Sequence, residues 1–119
     1  MESKTYIVQS GRTPIGAFGG ALSEFSAPQL GAAVIAALLD RLDLDVNEVE
    51  EVIMGNVLSA GIGQAPARQT AIYSGLPHKV ECLTINKMCG SGLKAVMLAD
   101  QAIKVNDTCL LYTSDAADE

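Results

Sequence analysis

The 119-residue sequence has no tryptophan, two phenylalanines, three tyrosines and one histidine, and its eight basic residues are outnumbered by 14 acidic ones. This composition argues against a nucleic-acid-binding surface, which needs clustered positive charge and aromatic side chains for base stacking. Three cysteines and one histidine without zinc-ligand spacing predict neither a metal site nor a disulfide framework. No apolar run reaches membrane-spanning length, and residues 1–4 lack the apolar core of a signal peptide. We therefore expect a cytoplasmic protein without nucleic-acid or membrane partners.

Short β-prone runs alternate with helical patterns along the chain. We predict strands over residues 4–9, 52–57 and 81–86, with a glycine-bearing loop over residues 11–20 after the first of them. Helical patterns separate the strands, and another follows the third strand. Strands that alternate with helices predict an α/β domain whose sheet is largely parallel.

The first two helices have recognisable start signals. Ser26 and Gln29 have the spacing of a capping box, in which each side chain satisfies a backbone N–H of the first turn. Pro66 suits the first turn of the second helix, which should end before Gly75 and Pro77. The first helix is predicted to bury the face that carries Leu30, Val34, Ala37, Leu38 and the stem of Arg41.

Residues 83–103 contain the strongest functional signal, a short strand, a tight turn and an amphipathic helix with Cys89 at the turn. A thiolate is the reactive form of cysteine, and the positive end of a helix dipole stabilises it. Gly90 and Gly92 are predicted to leave space for a substrate to approach the sulfur. The alternative is a packed cysteine, because free cysteines are usually buried apolar residues. We predict that Cys89 is a catalytic nucleophile.

Three segments together resemble the thiolase family, and within it the acetyl-CoA acetyltransferase type. They are G-R-T-P-I-G-A-F-G-G-A-L at residues 11–22, G-N-V-L-S-A-G-I-G-Q-A-P-A-R-Q-T-A at residues 55–71 and N-K-M-C-G-S-G-L-K-A-V-M-L-A at residues 86–99. Their order and spacing match those of the family, and the resemblance extends from about Tyr6 to Asp107.

The resemblance implies a layered α-β-α-β-α fold made of two similar halves, with only part of the N-terminal half present here. Residues 1–107 would form a partial thiolase N-terminal domain, and the helix after Cys89 would be a central one. Residues 108–119 do not resemble the family and are predicted to be a non-native tail produced by reading through a sequencing adapter. A natural tail is the alternative, because its acidic, small-residue composition would allow one.

The resemblance also implies a mechanism in which the Cys89 sulfur attacks an acyl-CoA thioester and becomes acylated. A second acetyl-CoA, deprotonated at its α-carbon, would then attack the acyl-enzyme to form acetoacetyl-CoA, and thiolysis would reverse these steps. The Cys89 backbone N–H would help to stabilise the oxyanion. Acetyl-CoA, acetoacetyl-CoA and CoA are thus the expected small-molecule partners, without a resident cofactor. The full-length protein is expected to be a homo-oligomer, either a dimer or a tetramer.

Family members activate the thiol with a histidine in a Gly-His-Pro context, and they use a second cysteine and an asparagine as further catalytic groups. No position of this sequence matches these three residues, so we expect the fragment itself to be inactive. His78 is predicted to be a solvated loop residue, Cys82 a packed strand residue and Cys109 a part of the tail.

Two other functions stay open at this point. One is a 3-ketoacyl-CoA thiolase of fatty-acid β-oxidation, and the other is a non-catalytic, thiolase-like lipid carrier, against which the presence of Cys89 argues.

Other residues of the matching segments are first interpreted as structural. They are Arg12, Thr13 and Gly16 (loop formation, or bracing of the active-site turn), Gln64, Arg68 and Gln69 (packing, or substrate contact) and Asn86 (a hydrogen bond that holds the turn).

Overall fold

The computed structural model describes residues 4–115. Its helices are α1 (Ala27–Leu42), α2 (Pro66–Tyr73) and α3 (Ser91–Lys104), and its strands are β1 (Glu51–Gly55), β2 (Glu81–Ile85) and β3 (Leu111–Asp115). Two short 3₁₀ turns, Val46–Glu48 and Met88–Gly90, precede β1 and α3. Within residues 4–115, every helix is too short or too polar to cross a membrane.

The three strands form one parallel sheet in the order β2-β1-β3, as the alternation of strands and helices predicted. Successive side chains of β1 point to opposite faces of this sheet. Val52 and Met54 pack into a core cluster with residues of α1 and α2, whereas Ile53 packs with Ala95 and Ala99 of α3. The sheet therefore lies between α1 and α2 on one face and α3 on the other.

Helix α1 begins as the capping box predicted, but it buries a different face. The Ser26 hydroxyl accepts a hydrogen bond from the Gln29 N–H at 3.3 Å, and the Gln29 side chain accepts one from the Ser26 N–H at 2.8 Å. Of the predicted face only Leu38 is buried; Leu30 and Val34 are half-buried, and Ala37 and Arg41 are exposed. The prediction was wrong because α1 carries apolar residues on several faces, so that packing against the neighbouring elements selects the buried one. The buried residues are Pro28, Gly31, Ala32, Ile35, Leu38 and Leu39.

The predicted strand over residues 4–9 is absent. Residues 4–10 have no regular secondary structure, and the side chains of Tyr6, Ile7 and Val8 are 73%, 81% and 63% exposed. A β-prone run becomes a strand only when it pairs with another strand. Residues 4–9 pair with none of the three strands, so this segment has no neighbour that would make it a strand.

Strand β3 comes from the predicted tail. The Tyr112 side chain is buried in the same core cluster as Val52 and Met54. The Glu50 carboxylate holds the approach to β3, because it accepts hydrogen bonds from the Thr108 hydroxyl at 2.8 Å and from the N–H groups of Cys109 and Leu110. Residues 111–115 therefore contribute to the described fold, while the non-native origin of residues 108–119 stays a prediction.

Candidate active site

Cys89 lies in the connection between β2 and α3, at the carboxyl edge of the sheet. Strand β2 ends at Ile85, the 3₁₀ turn Met88–Gly90 follows, and α3 begins at Ser91. The predicted strand–turn–helix arrangement is thus observed, and the Cys89 thiol is exposed and free. Ligand sites in parallel α/β sheets form at this edge, so the location suits a nucleophile that must reach a substrate in solution.

A network of hydrogen bonds holds the Cys89 turn. The buried Ser91 hydroxyl, in a residue only 2% exposed, accepts from the Lys87 N–H at 2.9 Å and donates to the Met88 carbonyl at 2.9 Å. The Asn86 side-chain oxygen accepts from the Met88 N–H at 3.0 Å, which is the holding role predicted for Asn86. These bonds keep Met88 at φ 47°, a conformation uncommon for residues other than glycine.

The two glycines that follow Cys89, at positions 90 and 92, differ in their surroundings. A Cβ atom built on Gly90 would meet no other atom within 4 Å, so this side of the turn is open as predicted. A Cβ atom built on Gly92 would lie 2.6 Å from the Cβ of Asp115, so the open space expected beside Gly92 is occupied. Position 92 therefore has no space for a larger side chain beside β3.

Cys82 differs from Cys89 in its environment. It is half-buried in β2, and its thiol lies 3.6 Å from the Val80 carbonyl oxygen. Burial raises the pKa of the Cys82 thiol, and the nearby Arg68 guanidinium offsets only a part of this effect. Because a thiol with a raised pKa forms less thiolate at neutral pH, Cys82 is the poorer nucleophile on this ground.

Arg68 and Gln69 of α2 hold the neighbouring loops. The Arg68 guanidinium donates to the carbonyl oxygens of Val80 at 2.9 Å and His78 at 2.8 Å. The Gln69 side-chain amide donates to the carbonyl oxygens of Ile62 at 2.8 Å and Gln64 at 2.7 Å. These bonds agree with the packing roles predicted from the sequence, and the His78 side chain is exposed, as expected.

The loop before α1 lies beside that helix. A Cβ atom built on Gly11 would lie 3.2 Å from a methyl carbon of Leu38, and Arg12 and Thr13 line a cavity of about 110 Å³ together with residues of α1. Gly16 faces the Leu22 side chain, to which a Cβ atom at position 16 would come within 3.2 Å. These contacts support the loop-forming roles of the segment over residues 11–22.

Sequence reasoning missed two residues at the carboxyl edge. Ser91 pins the turn, and its only sequence signal is a small hydroxyl residue at the start of a helix. Asn56 directly follows β1, is 1% exposed and joins the ends of two strands, because its N–H donates to the Ile85 carbonyl at 2.9 Å. The Asn56 side-chain nitrogen donates to the Ser59 hydroxyl at 3.1 Å, whereas its oxygen has no hydrogen-bond partner among residues 4–115.

Comparison with known families and curated proteins gives consistent matches. The family model described as "Thiolase, N-terminal domain" matches residues 5–111. The chain is 54% identical over 107 residues to an acetyl-CoA acetyltransferase of Allochromatium vinosum, a match that covers 90% of this chain and 27% of that protein. It is 58% identical over 101 residues to an acetyl-CoA acetyltransferase of Cupriavidus necator, covering 85% and 26%. The chain thus spans about a quarter of the length of these relatives.

A solved structure has a similar fold. It is the crystal structure of the Acat5 thiolase from Ascaris suum in complex with coenzyme A, which superposes with a TM-score of 0.76 at 47% sequence identity. The match covers 79% of this chain and 25% of the Ascaris chain. Fold and sequence therefore point to the same family.

Proposed function

The chain belongs to the thiolase family, and from this premise we propose that its whole protein is an acetyl-CoA C-acetyltransferase that uses Cys89 as its nucleophile. The observation that carries the proposal is the exposed Cys89 thiol in a pinned turn directly before α3. A cysteine in that position is open to a thioester and lies near the positive end of a helix. The acetyl-CoA acetyltransferases that the chain resembles support the choice of acyl group.

The proposed first half-reaction transfers an acetyl group to the enzyme. The Cys89 sulfur bonds to the thioester carbonyl carbon, the carbon–sulfur bond to CoA breaks, and the proton of the Cys89 thiol ends on the departing CoA sulfur. The tetrahedral intermediate carries an oxyanion, and the proposed donor that stabilises it is the Cys89 backbone N–H, in the 3₁₀ turn before α3.

The proposed second half-reaction makes the carbon–carbon bond. A base removes a proton from the α-carbon of a second acetyl-CoA, the carbanion bonds to the acyl carbon, and the bond from that carbon to the Cys89 sulfur breaks. The released thiolate takes up the proton, and acetoacetyl-CoA leaves. Thiolysis reverses both half-reactions, with CoA as the final acyl acceptor.

The 119-residue chain itself is proposed to be inactive. The family resemblance implies a histidine, a second cysteine and an asparagine as further catalytic groups, and none of the family motifs that carry them has a match in this sequence. Loss of a positioned base alone lowers the rate of such a reaction by about 10²-fold or more. The proposal also includes a homo-oligomer as the full-length form, a dimer or a tetramer, and a cytoplasmic location.

An acetyl-trapping experiment on the full-length protein tests this function. The enzyme, its Cys89→Ser variant and a Cys82→Ser control are incubated with radiolabelled acetyl-CoA, and protein-bound label is counted after denaturation. We expect label on the wild type and on the control and none on Cys89→Ser. Label retained by a folded Cys89→Ser protein would refute the assignment.

Thiolysis assays with acetoacetyl-CoA and with longer 3-ketoacyl-CoA substrates then distinguish the acetyl-specific enzyme from a β-oxidation thiolase. A folded wild type that cleaves none of these substrates would indicate a non-catalytic carrier.

A further inference from the structure

The last residue of β1 lies against the first residue of α3. Position 55 faces the same side of the sheet as Ile53, which packs against Ala95 and Ala99 of α3. A Cβ atom built on the buried Gly55 would lie 2.8 Å from both the carbonyl carbon and the Cβ of Ser91. Ordinary contacts of a Cβ atom are 3.4–4 Å long, so the observed spacing between β1 and α3 leaves no space for a side chain at position 55.

Ser91 connects this contact to the Cys89 turn. Its hydroxyl accepts a hydrogen bond from the Lys87 N–H and donates one to the Met88 carbonyl oxygen, both at 2.9 Å. Because these bonds hold the residues directly before Cys89, a displacement of Ser91 would be transmitted to the segment that carries the thiol. The contact between Gly55 and Ser91 therefore bears on the position of the sulfur.

The end of β1 holds the other side of the Cys89 connection as well. The Asn56 N–H donates to the carbonyl oxygen of Ile85, the last residue of β2, at 2.9 Å. Residues 86–90, which join β2 to α3, are therefore held at one end through Asn56 and at the other through the contact of Gly55 with Ser91. Asn56 acts through a backbone group, which nearly every residue supplies, whereas the contact of Gly55 requires the absence of a side chain.

We propose that Gly55 is a positioning residue, whose lack of a side chain sets how closely the start of α3 approaches the sheet and thereby where the Cys89 sulfur lies. The consequence for acyl transfer rests on the proposed function, whereas the consequence for the structure of the turn does not. An alanine at position 55 should push Ser91 away from β1 and weaken its two hydrogen bonds within the turn. The thiol then loses the fixed position from which it attacks a bound thioester.

Position 55 also contacts β3 in this chain. The Cβ atom built on Gly55 would lie 2.8 Å from the Oδ1 of Asp115, a residue of the predicted non-native tail. Gly55 and Ser91, in contrast, both lie in segments that resemble thiolases. Because the tail is predicted to be absent from the full-length protein, measurements on that protein report on the Ser91 contact without the Asp115 contact.

Hydrogen exchange followed by NMR measures the turn in the 119-residue chain. The Lys87 N–H is protected by its hydrogen bond to the Ser91 hydroxyl, so Gly55→Ala should make its exchange about fivefold faster. Gly31→Ala is the matched control, because Gly31 is also buried and its added Cβ atom would come within 3.1 Å of a methyl carbon of Thr70, on the opposite face of the sheet. This control should leave the Lys87 exchange rate unchanged.

Steady-state kinetics of the full-length enzyme measure the consequence for catalysis. Gly55→Ala should lower kcat for acetoacetyl-CoA thiolysis by about tenfold or more and leave KM unchanged, because it displaces the sulfur without adding an atom to the surface that a substrate approaches. Rates are expressed per folded molecule, so that a loss of stability alone does not lower kcat. Gly31→Ala should retain the wild-type kcat.

Several outcomes would overturn the proposal. They are an unchanged Lys87 exchange rate or a wild-type kcat in folded Gly55→Ala, a raised KM at an unchanged kcat, and an equal loss of kcat in Gly31→Ala. If Gly55→Ala does not fold, a wild-type kcat in full-length Ser91→Ala would overturn it, because Gly55 acts through Ser91. A full-length wild type that transfers no acetyl group would refute the proposed function instead, and the Lys87 exchange rates would then decide whether Gly55 positions the turn.

Discussion

The Ser91 hydroxyl donates a 2.9 Å hydrogen bond to the carbonyl oxygen of Met88, the residue directly before Cys89. The same hydroxyl accepts from the Lys87 N–H at 2.9 Å, so one buried side chain joins the amino end of the turn to the start of α3. The nucleophile proposed here is thus placed by a neighbour that does not itself take part in the chemistry.

Replacing Ser91 by alanine should loosen this turn. The two hydrogen bonds of the Ser91 hydroxyl disappear, and the Lys87 N–H loses its acceptor, so we expect a decrease in the free energy of unfolding of about 1–3 kcal/mol. Urea denaturation followed by circular dichroism measures the change. Ser23→Ala, at an exposed serine outside the helices, is the control and should change stability by less than about 0.5 kcal/mol. Equal stability of Ser91→Ala and wild type would contradict the pinning role.

Cys89 should react with limiting iodoacetamide before Cys82 at neutral pH. The Cys89 thiol is exposed, whereas burial raises the pKa of the Cys82 thiol and reduces its thiolate fraction. Peptide mapping after partial alkylation gives the order of labelling, and Arg68→Gln, which removes the cation beside Cys82, should slow Cys82 further. Labelling of Cys82 ahead of Cys89 would contradict the assignment of the two environments.

Glu50 should make the stability of the chain sensitive to acid. Hydrogen bonds from the Cys109 N–H, the Thr108 hydroxyl and the Leu110 N–H hold the pKa of the Glu50 carboxyl below its ordinary value of 4.5. A carboxyl whose pKa is lower in the folded state contributes stability above its unfolded-state pKa, and this contribution is lost as the pH falls through the folded-state pKa.

Urea denaturation of wild type and Glu50→Gln between pH 3 and pH 7 tests this linkage. We expect the variant to be less stable near neutral pH and the difference to narrow as the pH falls below about 4.5, because protonation of Glu50 then costs the folded state its charged acceptor; the charge contribution is lost once the pH is below the lowered pKa of the folded state. Glu48→Gln, at an exposed glutamate of the preceding 3₁₀ turn, serves as the control and should follow the wild-type curve. A constant difference across this pH range would show that Glu50 does not act through its charge.

The buried face of α1 can be distinguished from the face predicted by periodicity. Ile35 is 1% exposed and belongs to the main core cluster, so Ile35→Ala should lower the free energy of unfolding by about 2–4 kcal/mol through lost burial and a residual cavity. Ala37→Ser, on the exposed side, should change it by less than about 0.5 kcal/mol. Chemical denaturation measures the free energy of unfolding of both variants. A larger decrease for Ala37→Ser than for Ile35→Ala would show that α1 buries the face predicted from the sequence.

Features that depend on neighbouring residues in the chain were predictable from the sequence. The Ser26–Gln29 capping box, the start of α2 at Pro66 and the strand–turn–helix around Cys89 all follow from local hydrogen bonding and local backbone preferences. The family could also be recognised, because its motifs are contiguous segments. The role of Asn86 was also predictable from local sequence, since its side chain accepts a hydrogen bond from the Met88 N–H only two residues away.

Features that depend on contacts distant in sequence were decided by the tertiary structure. Pairing along β1 determines that residues 111–115 form a strand while residues 4–9 do not, although both runs are β-prone. Packing against the core determines which apolar face α1 buries. The approach of Asp115 to Gly92 joins two positions that are 23 residues apart (115 − 92), and no local pattern predicts it. Sequence therefore determined the local structure of the Cys89 turn, whereas the tertiary structure determined which β-prone segments form the sheet beside it, because a segment becomes a strand only where another strand pairs with it.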